Sequence, residues 1–161
     1  MKKYSIIFLM TALGLMADCS MPSRTLIANG NEVTDTKTGL VWSRCTLGQV
    51  WKKGKGCVGE IEFLKRKEAE ALARSLGNGW RLPRIDELQT LVEKRCKSPM
   101  LNAKFFGKVQ DVTHEGANYL SASIYLEGDE VIPTLFYTID FMNGSVDAHT
   151  KGFIGAVRLV R

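Results

Sequence analysis

The sequence has few of the residues, and none of the motifs, that usually mark catalytic, metal or nucleotide sites. It contains no P-loop, no GxGxxG and no HExxH motif, and none of its four cysteines forms a CxxC pair. The two histidines, His114 and His149, lie in polar, turn-like stretches without a neighbouring serine or cysteine nucleophile. A surface or hydrogen-bonding role is therefore expected for both. The sequence predicts no catalytic residue, no metal and no cofactor.

Positive charge is missing from a long part of the chain. Residues 110–150 contain no lysine or arginine but seven acids, whereas residues 44–108 contain 15 lysines and arginines against seven acids. A chain whose positive and negative charges are segregated in this way can present a basic face to a polyanion. The alternative is that these charges only solvate helices and loops.

The chain also lacks an apolar run long enough to span a bilayer as a helix. Lys2 and Lys3 precede an apolar stretch of about twelve residues, 6–17, which is typical of a secretory signal peptide. We expect a signal peptide over residues 1–18, a tether over 19–30 and a single domain over 31–161. Cys19 suggests a lipoprotein, but Asp18 stands where a lipoprotein signal needs a small residue, so ordinary export is favoured over lipidation and over an uncleaved anchor.

Export makes disulfide pairing the default for the four cysteines. Cys45 and Cys57 enclose a loop rich in glycine and lysine, and a bond between them would remove roughly 3 kcal/mol of unfolded-state entropy on the loop-closure model. We predict the Cys45–Cys57 bond. Cys96 either pairs with Cys19 or stays buried and free if Cys19 is lipidated.

Hydrophobic spacing predicts an α+β domain. Helices are expected over residues 62–76 and 84–95, where apolar residues recur at helical spacing. Short strands are expected over 32–35, 39–43, 118–124, 134–141, 145–149 and 153–160, with a hairpin turn at Asn143-Gly144. We expect two helices packed on short antiparallel strands, with Trp42 in the core.

One motif carries a family resemblance: Trp80-Arg81-Leu82-Pro83 with Glu87 one helical turn later, together with residues 33–42 and 157–161. Over residues 30–161 the chain resembles the domain-of-unknown-function family 1566, also called the Lcl C-terminal domain. The resemblance implies a C-type-lectin-like, sulfatase-modifying-factor-like fold, the fold of formylglycine-generating enzymes. It implies structural roles for Trp42, Trp80, Arg81, Pro83 and Glu87, with Trp80 filling the core and Arg81 pairing with Glu87 or with backbone groups.

The same resemblance limits the chemistry. The calcium-site signatures of sugar-binding C-type lectins are absent, and no cysteine follows Cys96, so calcium-dependent sugar binding and formylglycine-generating oxidase activity are not expected. An enzyme of another kind would need Glu87, Asp140 or His149 to converge in one cleft.

The sequence therefore favours an exported, non-enzymatic binding domain located in the periplasm, on the outer membrane surface or secreted. Members of the family occur in exported and surface proteins, some of them adhesins. The expected ligand is an anionic polysaccharide or an envelope or host protein, and nucleic acid is not expected. An accessory envelope subunit with a protein partner is the alternative, and membrane association is expected only if Cys19 is lipidated. The candidate polyanion contacts are Lys52, Lys53, Lys55, Lys65, Arg66, Lys67, Lys94, Arg95 and Lys97.

Overall fold

The structure, a computed structural model, describes residues 19–111 and 116–161. The predicted signal peptide and His114 lie outside these residues. Within them the protein is mixed, with mostly antiparallel strands and three short helices. The α+β prediction is confirmed at this level.

The described chain begins with a three-stranded antiparallel sheet. Its strands are β1 (Leu26–Asn29), β2 (Glu32–Asp35) and β3 (Val41–Ser43), in that order across the sheet. The tether expected over residues 19–30 therefore does not extend through β1. Leu26 and Ala28 share one face of β1 and pack on the core, which gives this segment a reason to pair with β2.

A small hairpin and a helix follow the first sheet. Strands β4 (Val50–Lys52) and β5 (Gly56–Val58) pair with each other, and β6 (Leu64–Lys65) leads into helix α1 (Arg66–Leu76). The predicted helix over 62–76 thus begins four residues late, because Leu64 and Lys65 pair with a later strand. The Glu68 carboxylate accepts the Lys65 backbone N–H at 2.9 Å and caps the start of α1.

The second predicted helix is much shorter than expected. Helix α2 (Ile85–Gln89) has five residues, whereas a helix over 84–95 was predicted. Leu91 and Leu88 are buried as their spacing indicated, but the backbone N–H of Glu93 donates to the carbonyl of Met100 rather than continuing the helix. Apolar spacing predicted which side chains are buried, while this long-range backbone bond decided where the helix ends.

A third helix and a second sheet complete the elements. Helix α3 (Ala103–Phe106) precedes the antiparallel strands β7 (Asn118–Glu127), β8 (Glu130–Asp140) and β9 (Val146–Thr150). Strand β8 lies between the other two and forms the predicted hairpin with β9. Helix α3 was not predicted.

The last residues of the chain connect the two sheets. Only β10 (Ile154–Gly155) is a regular strand, paired with β6, so the strand predicted over 153–160 is wrong beyond Gly155. The segment 156–161 forms bridges to several different partners instead. Val160 bridges both Trp42 and Arg81, and Ala156 bridges Tyr119.

The core has two clusters. The larger one surrounds Trp42, which is fully buried as predicted, and it includes residues of both sheets, α2 and α3. The smaller one joins α1 to β7 and β8 through Ala69, Ala73, Leu120 and Phe136. Trp80 does not fill the core as expected. It is half-buried at the edge of the smaller cluster, with the Arg161 guanidinium 5.1 Å from its ring centroid.

Candidate functional site

Two disulfides organise one end of the molecule. The structure contains the predicted Cys45–Cys57 bond and also a Cys19–Cys96 bond, which was one of the two alternatives left open for Cys96. Disulfides indicate an oxidising environment outside the cytoplasm. The Cys45–Cys57 bond closes the loop that carries β4 and β5, and the Cys19–Cys96 bond places Ser20 near α3, where the Cys19 carbonyl accepts the Ala103 N–H at 2.7 Å.

Trp51 is held on the inner side of the β4–β5 hairpin. It stands directly opposite Cys57 in the register, and its backbone N–H donates to Asn31 Oδ1 at 3.2 Å. The Arg44 guanidinium stacks 3.3 Å from the centroid of its ring. Arg44 is in turn anchored by its Nε–H, which donates to the Phe105 carbonyl at 3.0 Å. The aromatic ring is therefore stacked on an anchored cation, and its strand pairs with the strand that carries Cys57 of the disulfide.

Arg158 lies beneath this region and is only 1% exposed. Its guanidinium donates to the carbonyls of Ser43, Arg44 and Phe106 at 2.7, 2.6 and 3.2 Å. None of the recorded partners of Arg44 or Arg158 is a carboxylate in the part of the chain that the structure describes. Burial lowers the pKa of both guanidinium groups, yet arginine stays charged in proteins. Within residues 19–111 and 116–161, these two positive charges behind the loop thus have neutral hydrogen-bond partners.

A cleft of about 310 Å³ opens between the β4–β5 hairpin and α3. Among the described residues, its lining includes three lysines and one tryptophan but no acid: Ser20, Gln49, Trp51, Lys55, Gly56, Cys57, Ala103, Lys104, Gly107, Lys108 and Gln110. We call it the basic cleft. A Cβ at Gly107 would lie 2.6 Å from Cys57 Sγ, and its φ of 73° also favours glycine. Only glycine lets α3 approach the disulfide this closely.

The structure separates the nine predicted polyanion contacts into three places. Lys55 lines the basic cleft, and Lys52 and Lys53 are exposed on the same hairpin. The group Lys94, Arg95 and Lys97 flanks Cys96, which the disulfide ties to Cys19 and hence to the Ser20 side of the cleft.

The third group, Lys65, Arg66 and Lys67, lies at the start of α1 and contributes no residue to the basic cleft. Two of the nine predicted cations are also engaged with acids, since Arg66 pairs with Glu70 and Arg95 with Glu93.

Sequence reasoning missed four residues of this site: Arg44, Trp51, Lys104 and Arg158. Trp51 could have been found, because it stands beside Lys52 and Lys53 inside the loop that the predicted disulfide closes. Arg158 lies in the stretch 157–161 that carries part of the family resemblance, but nothing in the sequence indicated that its side chain is buried beneath the cleft.

The signature residues have structural roles. Arg81 forms a two-pronged ion pair with Glu87, with both N···O distances 2.7 Å, and Glu87 Oε2 also accepts the Arg84 backbone N–H at 2.8 Å. The hydrogen bonds from Arg81 lower the pKa of the Glu87 carboxyl. Pro83 is buried just before α2. These contacts fix the chain's path into α2.

The three residues considered for enzyme chemistry lie on different elements. Glu87 is on α2, Asp140 accepts backbone N–H groups of Ala117 and Met142 at 2.8 Å each, and His149 stacks on Phe153 with 3.8 Å between ring centroids. Burial lowers the pKa of His149. None of the three lines the basic cleft.

Over residues 19–111 and 116–161, no group of three or more histidine, cysteine, aspartate or glutamate residues could hold a metal ion. The same residues contain no helix with the length and apolar character needed to cross a membrane.

The chain matches the family model of the Lcl C-terminal domain over residues 31–161. Neither the comparison with curated proteins nor that with solved structures found a match. The matched region covers all of the described elements except β1, and the chain belongs to the Lcl C-terminal domain family.

Proposed function

We propose that this protein is an exported, non-enzymatic binding domain whose basic cleft holds the sulfate, carboxylate or phosphate groups of an anionic glycan. The observation that carries the proposal is the charge of the basic cleft: among the described residues Lys55, Lys104 and Trp51 line it, no acid does, and Arg44 and Arg158, whose hydrogen-bond partners there are neutral, lie behind it. Lysine ammonium groups bind such anions by charge-assisted hydrogen bonds. The Trp51 ring offers a flat apolar surface to a sugar ring next to them.

The family and the disulfides support this proposal in a general way. Two disulfides fit an exported protein, and the antiparallel strands with short helices fit the C-type-lectin-like architecture that the sequence resemblance implied. We propose that architecture as the fold. The binding site here is argued from the cleft itself and does not require a calcium ion.

Heparin binding by the chain without residues 1–18, measured over a salt series, tests the glycan proposal. We expect binding that weakens steadily with salt, because screening weakens contacts between exposed charges. Replacing Lys55 and Lys104 with glutamate should reduce affinity by ~10-fold or more, since four units of charge change at the site.

The matched control replaces Lys65 and Lys67 with glutamate, which makes the same change in net charge on exposed residues at the start of α1. This control should retain most of the affinity. Equal losses for both variants would show that net charge, and not the basic cleft, governs binding. Absence of heparin binding at low salt would end the proposal.

A second candidate function is a subunit that binds a protein partner. Leu126 and Val131, at the end of the β7–β8 hairpin, are 48% and 54% exposed. Large apolar residues that face solvent together often mark protein contacts.

A further inference from the structure

The end of the β7–β8 hairpin is a two-stranded arm. Strand β9 pairs with β8 only from Leu135 to Ile139, whereas β7 and β8 continue to pair out to Glu127 and Glu130. Two strands without a third are only marginally stable in water. We call residues 125–132 the arm.

The arm exposes an apolar pair. Leu126 and Val131 are directly opposite in the register, and about half of each side chain faces solvent. Cross-strand neighbours of this kind have side chains close enough to form one apolar surface.

Acids surround that apolar pair. Glu127 and Glu130 are the next opposite pair along the arm, and Asp129 lies in the turn between them. None of these three acids forms an ion pair within residues 19–111 and 116–161. Like charges directly opposite each other destabilise a strand pair. The repulsive acidic pair and the exposed apolar pair therefore occur together in the arm, where the sheet has only two strands. A partner with both basic and apolar groups would neutralise the acids and cover the apolar pair.

The basic cleft has the complementary character. Lys55 and Lys104 would face Glu127, Asp129 and Glu130, while the Trp51 ring would face Leu126 and Val131. We propose that the arm of one copy of this protein docks into the basic cleft of a second copy. The inference rests on the proposed function, because it places the acidic arm of a second copy in the same cleft that the proposed function assigns to an anionic glycan.

This contact joins two different surfaces, arm to cleft, so a dimer formed by it keeps one free arm and one free cleft and can add further copies. The arm presents only a few side chains, and interfaces this small give weak, transient association, on the order of micromolar affinity or weaker. An anionic glycan that occupies the cleft would displace the arm. Self-association therefore regulates access to the glycan site.

Sedimentation equilibrium of the chain without residues 1–18 tests this inference with two variants. The arm variant carries Glu127→Lys and Glu130→Lys, and the cleft variant carries Lys55→Glu and Lys104→Glu. Each variant alone should self-associate at least ~10-fold more weakly than the native protein, because like charges then meet at the contact.

Mixing the variants gives the decisive result. The arm variant keeps its cleft and the cleft variant keeps its arm, so the mixture should form one-to-one dimers at concentrations where each variant alone stays mostly monomeric. Heparin should dissociate both these dimers and the native assembly. A native protein that stays monomeric up to millimolar concentration, or a mixture that does not associate, overturns the inference.

Heparin binding by the arm variant separates the two proposals. If the arm variant binds heparin like the native protein and no self-association is found, the inference fails and the proposed function stands. If self-association follows the expected pattern while heparin does not bind or compete, the glycan proposal fails and the arm contact stands.

Discussion

Arg158 is a buried cation held entirely by neutral groups. Its guanidinium joins the carbonyls of Ser43, Arg44 and Phe106, which belong to two chain segments that are distant in sequence. Arginine can do this because its planar group presents several donors in fixed directions. The same contacts position both sides of the basic cleft, since Arg44 leads into the disulfide loop and Phe106 precedes Gly107. We infer that Arg158 positions the site without contacting its ligand.

Replacing Arg158 with methionine should lower the free energy of unfolding by about 2–4 kcal/mol, because three backbone carbonyls that are buried or partly buried lose their donor. Denaturant unfolding measures this loss. Heparin affinity should fall as well, at protein concentrations and temperatures where the variant remains folded.

Arg95→Met is the matched control, because Arg95 is exposed and pairs with Glu93, two residues away. Its expected cost is below about 1 kcal/mol. A loss for Arg158→Met no larger than that of the control would contradict the positioning role.

At the scale of elements, the β4–β5 hairpin depends on its disulfide. Its other links to the body include the Trp51–Asn31 hydrogen bond, the stacking of Arg44 on Trp51 and the bonds of Leu47 to the backbone of Val157 and Glu62. Without the Cys45–Cys57 bond, Trp51 and Lys55 would no longer be held against α3.

Replacing Cys45 and Cys57 with serine should cost roughly 3 kcal/mol of stability on the loop-closure model and should also weaken heparin binding. Replacing Cys19 and Cys96 instead opens a much longer loop, with a sequence separation of 77, and should cost roughly 4.5 kcal/mol on the same model. The second variant should keep more of its heparin affinity, because the hairpin stays closed. Thermal unfolding should show the larger loss of stability for the Cys19/Cys96 variant, whereas heparin titration should show the larger loss of affinity for the Cys45/Cys57 variant. The same variant showing the larger loss in both measurements would refute the prediction.

The helices and strands also show how much of the fold and of the cleft could be predicted from the sequence. Strands β2 and β8 and helix α1 were found because their apolar periods agree with their observed pairing and burial. The length of α2 was wrong because the bond from Glu93 to Met100 is not visible in a local pattern. The basic cleft was only partly predicted for the same reason: Ser20, Trp51 and Lys104 come from segments that meet only after folding.

At the scale of the whole molecule, the segment 156–161 makes the two sheets one unit. Its backbone bonds reach Val41 and Ser43 of β3, Leu47, Arg81 and Leu120 of β7. Val160 is fully buried at the centre of these connections and bridges Trp42 on one side and Arg81 on the other. A substitution at Val160 should therefore lower the stability of both sheets.

Val160→Ala should lower the free energy of unfolding by about 2 kcal/mol, because two buried methyl groups are lost and the surrounding atoms fill the space incompletely. Val131→Ala makes the same chemical change at a position that is 54% exposed, and its cost should stay within about 0.5 kcal/mol.

Hydrogen exchange measured amide by amide shows whether Val160→Ala destabilises both sheets together or only one of them. In Val160→Ala the slowest amides of β2 and those of β8 should speed up by the same factor, since both sheets open only when the whole domain unfolds. Faster exchange in β2 alone would mean that the first sheet opens independently and that segment 156–161 does not couple the two halves.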